Sequence, residues 1–172
     1  MKILISGLAV LCLSIVALAP QNAPSTAKAD LVDSQGKSVG AAELTQTPDG
    51  VKIVLTVSGL ASGQHAFHIH NVGKCEGPDF KSAGPHFNPY NKKHGLKNPD
   101  GAHAGDMENI EVAADGTGKT GIVNKQVTLA DGPNSLFHEG GTAIVIHASP
   151  DDNMTDPAGN AGARIACGVI TK

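Results

Sequence analysis

Short apolar–polar alternations, with no helical periodicity, run the length of this chain. Residues 51–57 read Val-Lys-Ile-Val-Leu-Thr-Val, β-branched and partly alternating as a half-buried strand requires. Comparable runs occur at residues 39–44, 66–70, 108–113, 120–123, 126–129, 143–147 and 164–170. Turn signals separate them: Ser34-Gln35-Gly36, Pro48-Asp49-Gly50, Asp115-Gly116 and Asp131-Gly132-Pro133. The pattern predicts an all-β fold of eight antiparallel strands, a barrel or sandwich. Two stretches break the rhythm, residues 71–105 and 150–163, both rich in Gly, Pro and Asn. Loops of that length are uncommon unless something holds them, so they are expected to be functional.

At 172 residues the chain has the size of one domain with a substantial core. Its 21 glycines and 10 prolines suit short strands joined by turns and long loops. A formal charge of −3, with no basic run and no aromatic–basic interleaving, sets nucleic-acid binding aside. The N-terminus changes the domain picture. Lys2 precedes a largely apolar run to Ala19, and a polar stretch then ends in Ala27-Lys28-Ala29. This is a secretory signal layout with an A-x-A cleavage site, so residues 1–29 are read as signal and residues 30–172 as the domain. Cleavage after Ala19 or Ala23 would leave Pro20 or Pro24 at the cut, which is unfavourable. The apolar run is at the short edge for a membrane span, so no stable membrane insertion is expected after cleavage. The reading is an exported protein, periplasmic or extracellular.

Cys12 lies within the apolar run and leaves with it. Ala9-Val10-Leu11 before it does not match a lipid-accepting cysteine. Cys75 and Cys167 remain, and an even count in an exported chain reads as one disulfide. The loop it closes is long enough that the chain-entropy model gives roughly 4 to 5 kcal/mol.

Histidine placement adds chemistry. His68-x-His70, His86, His94, His103 and Asp106 flank or occupy the first long loop, and His147 ends a strand run. Side chains two apart on a strand project to one face, so His68 and His70 present both imidazoles together, and His147 can supply a third nitrogen from a neighbouring strand. Nitrogens fixed on rigid strands suit Cu(II). His86, His94, His103 and Asp106 offer three imidazoles and a carboxylate, a closed tetrahedral set that suits zinc. Nothing pairs His65 or His138 with these groups, and both are read as structural hydrogen bonders.

Several motifs together resemble the copper/zinc superoxide dismutase family: Ala66-Phe67-His68-Ile69-His70, Gly84-Pro85-His86-Phe87-Asn88-Pro89, Lys93-His94-Gly95, His103-Ala104-Gly105-Asp106, and the run from Gly159 to Ile170 containing Arg164 and Cys167. The resemblance implies a Greek-key, immunoglobulin-like barrel that dismutes superoxide, a small anionic substrate, with one copper and one zinc per chain. It implies copper on His68, His70, His86 and His147, and zinc on His86, His94, His103 and Asp106, His86 bridging as an imidazolate. It further implies catalytic roles for His86 and Arg164, a linking carboxylate at Asp151, and pairing of Cys75 with Cys167. The 75–86 segment is longer, and the 70–75 segment shorter, than in the better-known animal form, which resembles exported bacterial members. The 147–164 loop is shorter and lacks lysine, leaving Lys74, Lys81, Lys92, Lys93 and Lys97 as candidates for attracting the anion. A non-catalytic copper-binding or copper-carrier module is the alternative function, and metal-assisted hydrolysis is a third reading. Members of that family are often homodimers, and no motif here decides for or against one.

Overall fold

The computed structural model describes residues 25–172. Among these residues nine strands form: β1 (Thr26–Asp33), β2 (Ser38–Thr47), β3 (Gly50–Val57), β4 (Gly63–His65), β5 (Phe67–His70), β6 (Ile110–Val112), β7 (Gly118–Asn124), β8 (Ala143–His147) and β9 (Arg164–Val169). The only helical element among the described residues is a 3₁₀ turn, Lys81–Ala83. The strands make one sheet in the order β4-β6-β7-β3-β2-β1-β9-β8-β5, paired antiparallel throughout. The two end strands, β4 and β5, are separated in the chain by Ala66 alone, so the sheet curls into a nearly closed barrel. This is the all-β antiparallel fold expected from the alternation, with nine strands instead of eight.

Period-two patterning explains the core. Val51, Ile53, Leu55 and Val57 of β3 point inward and are buried, while Lys52 and Thr56 between them are exposed. Phe67 and Ile69 of β5 and Ile144 and Ile146 of β8 enter the same core. Each such side chain contributes about 1.5–3 kcal/mol on removal from water. The opposite face of β5 carries His68 and His70, and it is buried too, because the first long loop lies over it. That loop also occupies the open edge of β5. Ile69 N–H donates to Gly105 O at 2.9 Å, and Phe87 N–H donates back to Ile69 O at 2.8 Å. Satisfying a bare strand edge with loop backbone both protects it and fixes the loop.

Residues 126–129, expected as a strand, do not form one. The Gln46 carboxamide oxygen accepts from Thr128 Oγ1 at 2.9 Å and from Leu129 N–H at 2.7 Å, and the only backbone pairing is an isolated bridge between Thr128 and Ser135, so no ladder forms. Val127 and Leu129 are buried in the core, which accounts for their apolar character. β1 was not anticipated, because its first half coincides with the expected signal. Ala27 pairs with Leu44 and Ala29 with Ala42, and Lys28 exchanges two 2.8 Å backbone hydrogen bonds with Thr171. Ala27 and Ala29 are both core residues. The expected cleavage point after Ala29 therefore falls inside a strand that sits between β2 and β9. The apolar run and Cys12 lie outside the described residues. No helix among the described residues is long and apolar enough to cross a membrane. Cys75 and Cys167 form a disulfide across a sequence separation of 92, tying the first long loop to β9.

Candidate metal centre

Strand register brings the first set of histidines together. β5 pairs with β8 so that His68 lies opposite Val145 and His70 opposite Ala143, and His147 ends the same strand. His86 arrives from the loop through a bridge to His70. One ring nitrogen of each is held by the protein. His70 Nδ1–H donates to Gly84 O at 2.8 Å, His147 Nδ1–H to Gly162 O at 3.3 Å, and His68 Nε2–H to Asp151 at 2.7 Å. His86 Nδ1 lies 3.0 Å from Asp106 Oδ1. The opposite nitrogens, His68 Nδ1 and the Nε2 atoms of His70, His86 and His147, are buried with no protein partner. Four lone pairs kept out of water without a donor are costly unless something accepts them together. A metal ion fits that arrangement, and these four residues place ligand atoms within 4.8 Å of one another.

The second set is organised around a carboxylate. Asp106 Oδ1 lies 3.0 Å from Nδ1 of both His86 and His94 and 3.4 Å from Nδ1 of His103. Its Oδ2 accepts the backbone N–H groups of Gly95 at 2.8 Å and His103 at 3.0 Å. Asp106 is held far below the usual carboxylate range: burial works against the charge, but the bonds from the three histidines and Gly95 outweigh it. Burial also opposes charge on His94, yet its hydrogen bonds to Asp106 and Asp151 raise it to about 9. Three imidazoles converging on one buried carboxylate form a donor set suited to a divalent cation, which would replace the protons. In the first set burial wins, aided by neighbouring imidazoles. His86 falls to about 4 and His147 to about 3, and His70 lies well below its ordinary value. Neutral imidazole is the form that binds a metal.

Asp151 joins the sets, with one carboxylate oxygen on His68 at 2.7 Å and one on His94 at 3.1 Å. Sequence reasoning missed what positions it. Asn109 clamps the Asp151 backbone from both sides, donating to its carbonyl at 3.0 Å and accepting its N–H at 2.9 Å. Gly159 packs against it so closely that any Cβ there would collide with the Asp151 carboxylate and His94. Neither residue carries a sequence signal of its own, since both act across the fold. Arg164 pairs with His147 in the β8–β9 ladder, and its guanidinium donates to Phe80 O and Gly84 O, each at 2.7 Å. His65 is buried with Nδ1 2.8 Å from His147 O and Nε2 2.9 Å from Ala61 O. His138 stacks on Phe87 with its Nδ1 2.7 Å from Glu139 O. Of the loop lysines, Lys81 is ion-paired with Asp79 and Lys93 with Asp156, while Lys92 and Lys93 line a pocket that reaches His86 and His103.

A copper/zinc superoxide dismutase family model matches residues 38–170. The chain belongs to the copper/zinc superoxide dismutase family. Within it, the chain is 58% identical over 144 residues to superoxide dismutase [Cu-Zn] 1 of Aquifex aeolicus, covering 83% of this chain and 85% of that protein. It is 48% identical over 138 residues to the superoxide dismutase [Cu-Zn] of Caulobacter vibrioides, covering 78% and 79%. Among solved structures, a double mutant of a superoxide dismutase-like protein from Bacillus subtilis superposes with a TM-score of 0.80 at 43% identity, covering 83% of this chain and 95% of that one. Copper and zinc are the metals this family uses, and the two donor sets described above fit them.

Proposed function

We propose that this copper/zinc superoxide dismutase family member dismutes superoxide to dioxygen and hydrogen peroxide, with copper held by His68, His70, His86 and His147 and zinc by His86, His94, His103 and Asp106. The four buried, unpartnered histidine nitrogens carry the copper assignment, and the convergence on Asp106 carries the zinc assignment. One superoxide gives up an electron and leaves as dioxygen; a second takes that electron with two protons and leaves as hydrogen peroxide. When bound, copper supplies the one-electron exchange, and zinc keeps a single oxidation state. His86 turns Nδ1 to the zinc set and Nε2 to the copper set. It is the residue placed to hold a proton at Nε2 and pass it to the departing peroxide. Arg164 presents a fixed cation to the anion. Asp151 keeps the rings of His68 and His94 in register with each other. A copper carrier would have no use for a guanidinium pinned beside the ligand set, which favours the enzyme.

Export is part of the same proposal, supported by the Cys75–Cys167 disulfide, a bond that persists in oxidising compartments. We place the signal cut upstream of Ser25 instead of after Ala29, because β1 needs residues 26–29 for its pairing with β2 and for the Lys28–Thr171 bridge. The test of function is metal analysis paired with a superoxide-decay assay on the exported protein. One copper and one zinc per chain with cyanide-sensitive dismutation is expected. Full metal loading without dismutation would overturn the enzyme in favour of the carrier.

A further inference from the structure

The loop closed by the disulfide contains a buried aromatic that the reaction scheme does not use. Between Cys75 and Gly84 the chain is exposed or half-exposed except at Phe80 and Ala83. The Phe80 side chain is 1% exposed and packs with Ala83, Ala143, Val145 and Cys167, with Cys75 against them. This small cluster stands apart from the barrel core, on the face of β8 that also carries His147. The Phe80 backbone adopts a left-handed conformation, φ 52° and ψ 24°, which bulky residues rarely take. That conformation opens the 3₁₀ turn and aims the Phe80 carbonyl at two donors, Ala83 N–H at 3.1 Å and Arg164 Nη1 at 2.7 Å. The second guanidinium nitrogen reaches Gly84 O, the same carbonyl that takes the His70 Nδ1–H. The arginine is thus held from behind by two loop carbonyls, while Asp79, Lys81, Gly162 and Ala163 share with it an open pocket.

We propose that Phe80 is a positioning residue for Arg164. Its ring is the peg that seats the loop, and its carbonyl, placed by that peg, sets the direction of the guanidinium toward the incoming anion. The disulfide alone does not do this. It anchors the loop at Cys75, and exposed residues 76–79 lie between that anchor and the carbonyl in question. Hydrogen bonds to a charged group depend steeply on geometry, so a carbonyl displaced by loss of the ring frees the guanidinium to adopt other directions. The inference rests on the reading of Arg164 as the anion-binding group.

The test uses azide as the anionic probe, titrated into the full metal-loaded protein and followed by the copper absorption band. It is run on Phe80→Ala, Phe80→Leu, Arg164→Ala and the Phe80→Ala/Arg164→Ala double variant, with metal content and free thiol measured on each. Phe80→Ala is expected to bind azide about five- to tenfold more weakly, with both metals and the disulfide retained. Phe80→Leu, which refills most of the cluster, should recover to within about twofold. The double variant should be no weaker than Arg164→Ala alone, because the two residues act through one group. Azide affinity unchanged in Phe80→Ala, alongside a clear loss in Arg164→Ala, would overturn the positioning role, as would additive losses in the double variant. If Arg164→Ala itself leaves azide binding intact, the anion-binding reading of the arginine is what falls. Should Phe80→Ala not accumulate folded, Phe80→Val carries the same comparison.

Discussion

The two halves of the metal centre are built by different means. His68, His70 and His147 sit on β5 and β8, where register and pleat alone fix which way each ring faces. His94, His103 and Asp106 lie in loop, and their geometry comes from hydrogen bonds to one carboxylate and from the loop's seat on the β5 edge. The strand half is an extension of the barrel. The loop half is a structure of its own, holding a buried charge that needs partners. His86 belongs to both, joining the strand side through its bridge to His70 and the loop side through Asp106.

That difference can be broken most severely at the shared residue. His86→Ala should slow superoxide decay, followed by stopped flow, by at least about a hundredfold, the scale of a lost proton-transfer group. Near-normal turnover would end the bridging assignment. Asp106→Asn should strike the loop half alone. With its charge removed from beneath three imidazoles, the metal-free protein should lose about 3 kcal/mol in denaturant titrations. Zinc should fall below stoichiometry while copper on the strand half persists by elemental analysis. Equal loss of both metals would mean that the halves are not separable.

The barrel side is sharpened by a truncation. A chain beginning at Asp30 loses the Lys28–Thr171 exchange and the burial of Ala27 and Ala29. A decrease of about 2–4 kcal/mol is expected from such terms, with the metal ligands untouched. An unchanged unfolding midpoint, or an exported protein whose first residue is Asp30 by mass spectrometry, would return the cleavage site to Ala29. The smallest effect is expected for Asn109→Ala. It strips two partners from the Asp151 backbone for about 1–2 kcal/mol, and loosening that link should weaken zinc about tenfold in a competition titration. Zinc affinity at the wild-type level would show that Asp151 is held well enough by its own bonds to His68 and His94.

Much of this is legible in the sequence. The alternation in residues 51–57 and 143–147 announces strands, because a half-buried strand must alternate. The same period puts His68 and His70 on one face. At residues 126–129 local pattern and tertiary context gave opposite answers. Residues 126–129 look like a strand because Val127 and Leu129 are buried, but the Leu129 N–H goes to the Gln46 side chain and Thr128 makes only an isolated bridge to Ser135. Ala27-Lys28-Ala29 has the small residues of a cleavage site, and in β1 the two alanines pack in the core.

By itself, the sequence determined the ligand types, the face of β5 that bears two of them, the loops that carry the rest and the cysteines that could pair. Those follow from side-chain chemistry and from strand geometry, which are local. Only the tertiary structure decided which nitrogen of each histidine is pinned and which is left inward. The same holds for the Asn109 clamp behind Asp151, and for the seating of the Arg164 guanidinium by the Phe80 and Gly84 carbonyls. Those contacts join residues far apart in the chain, so no spacing encodes them. Burial made them specific, because a polar atom removed from water must find its partner wherever packing has placed it.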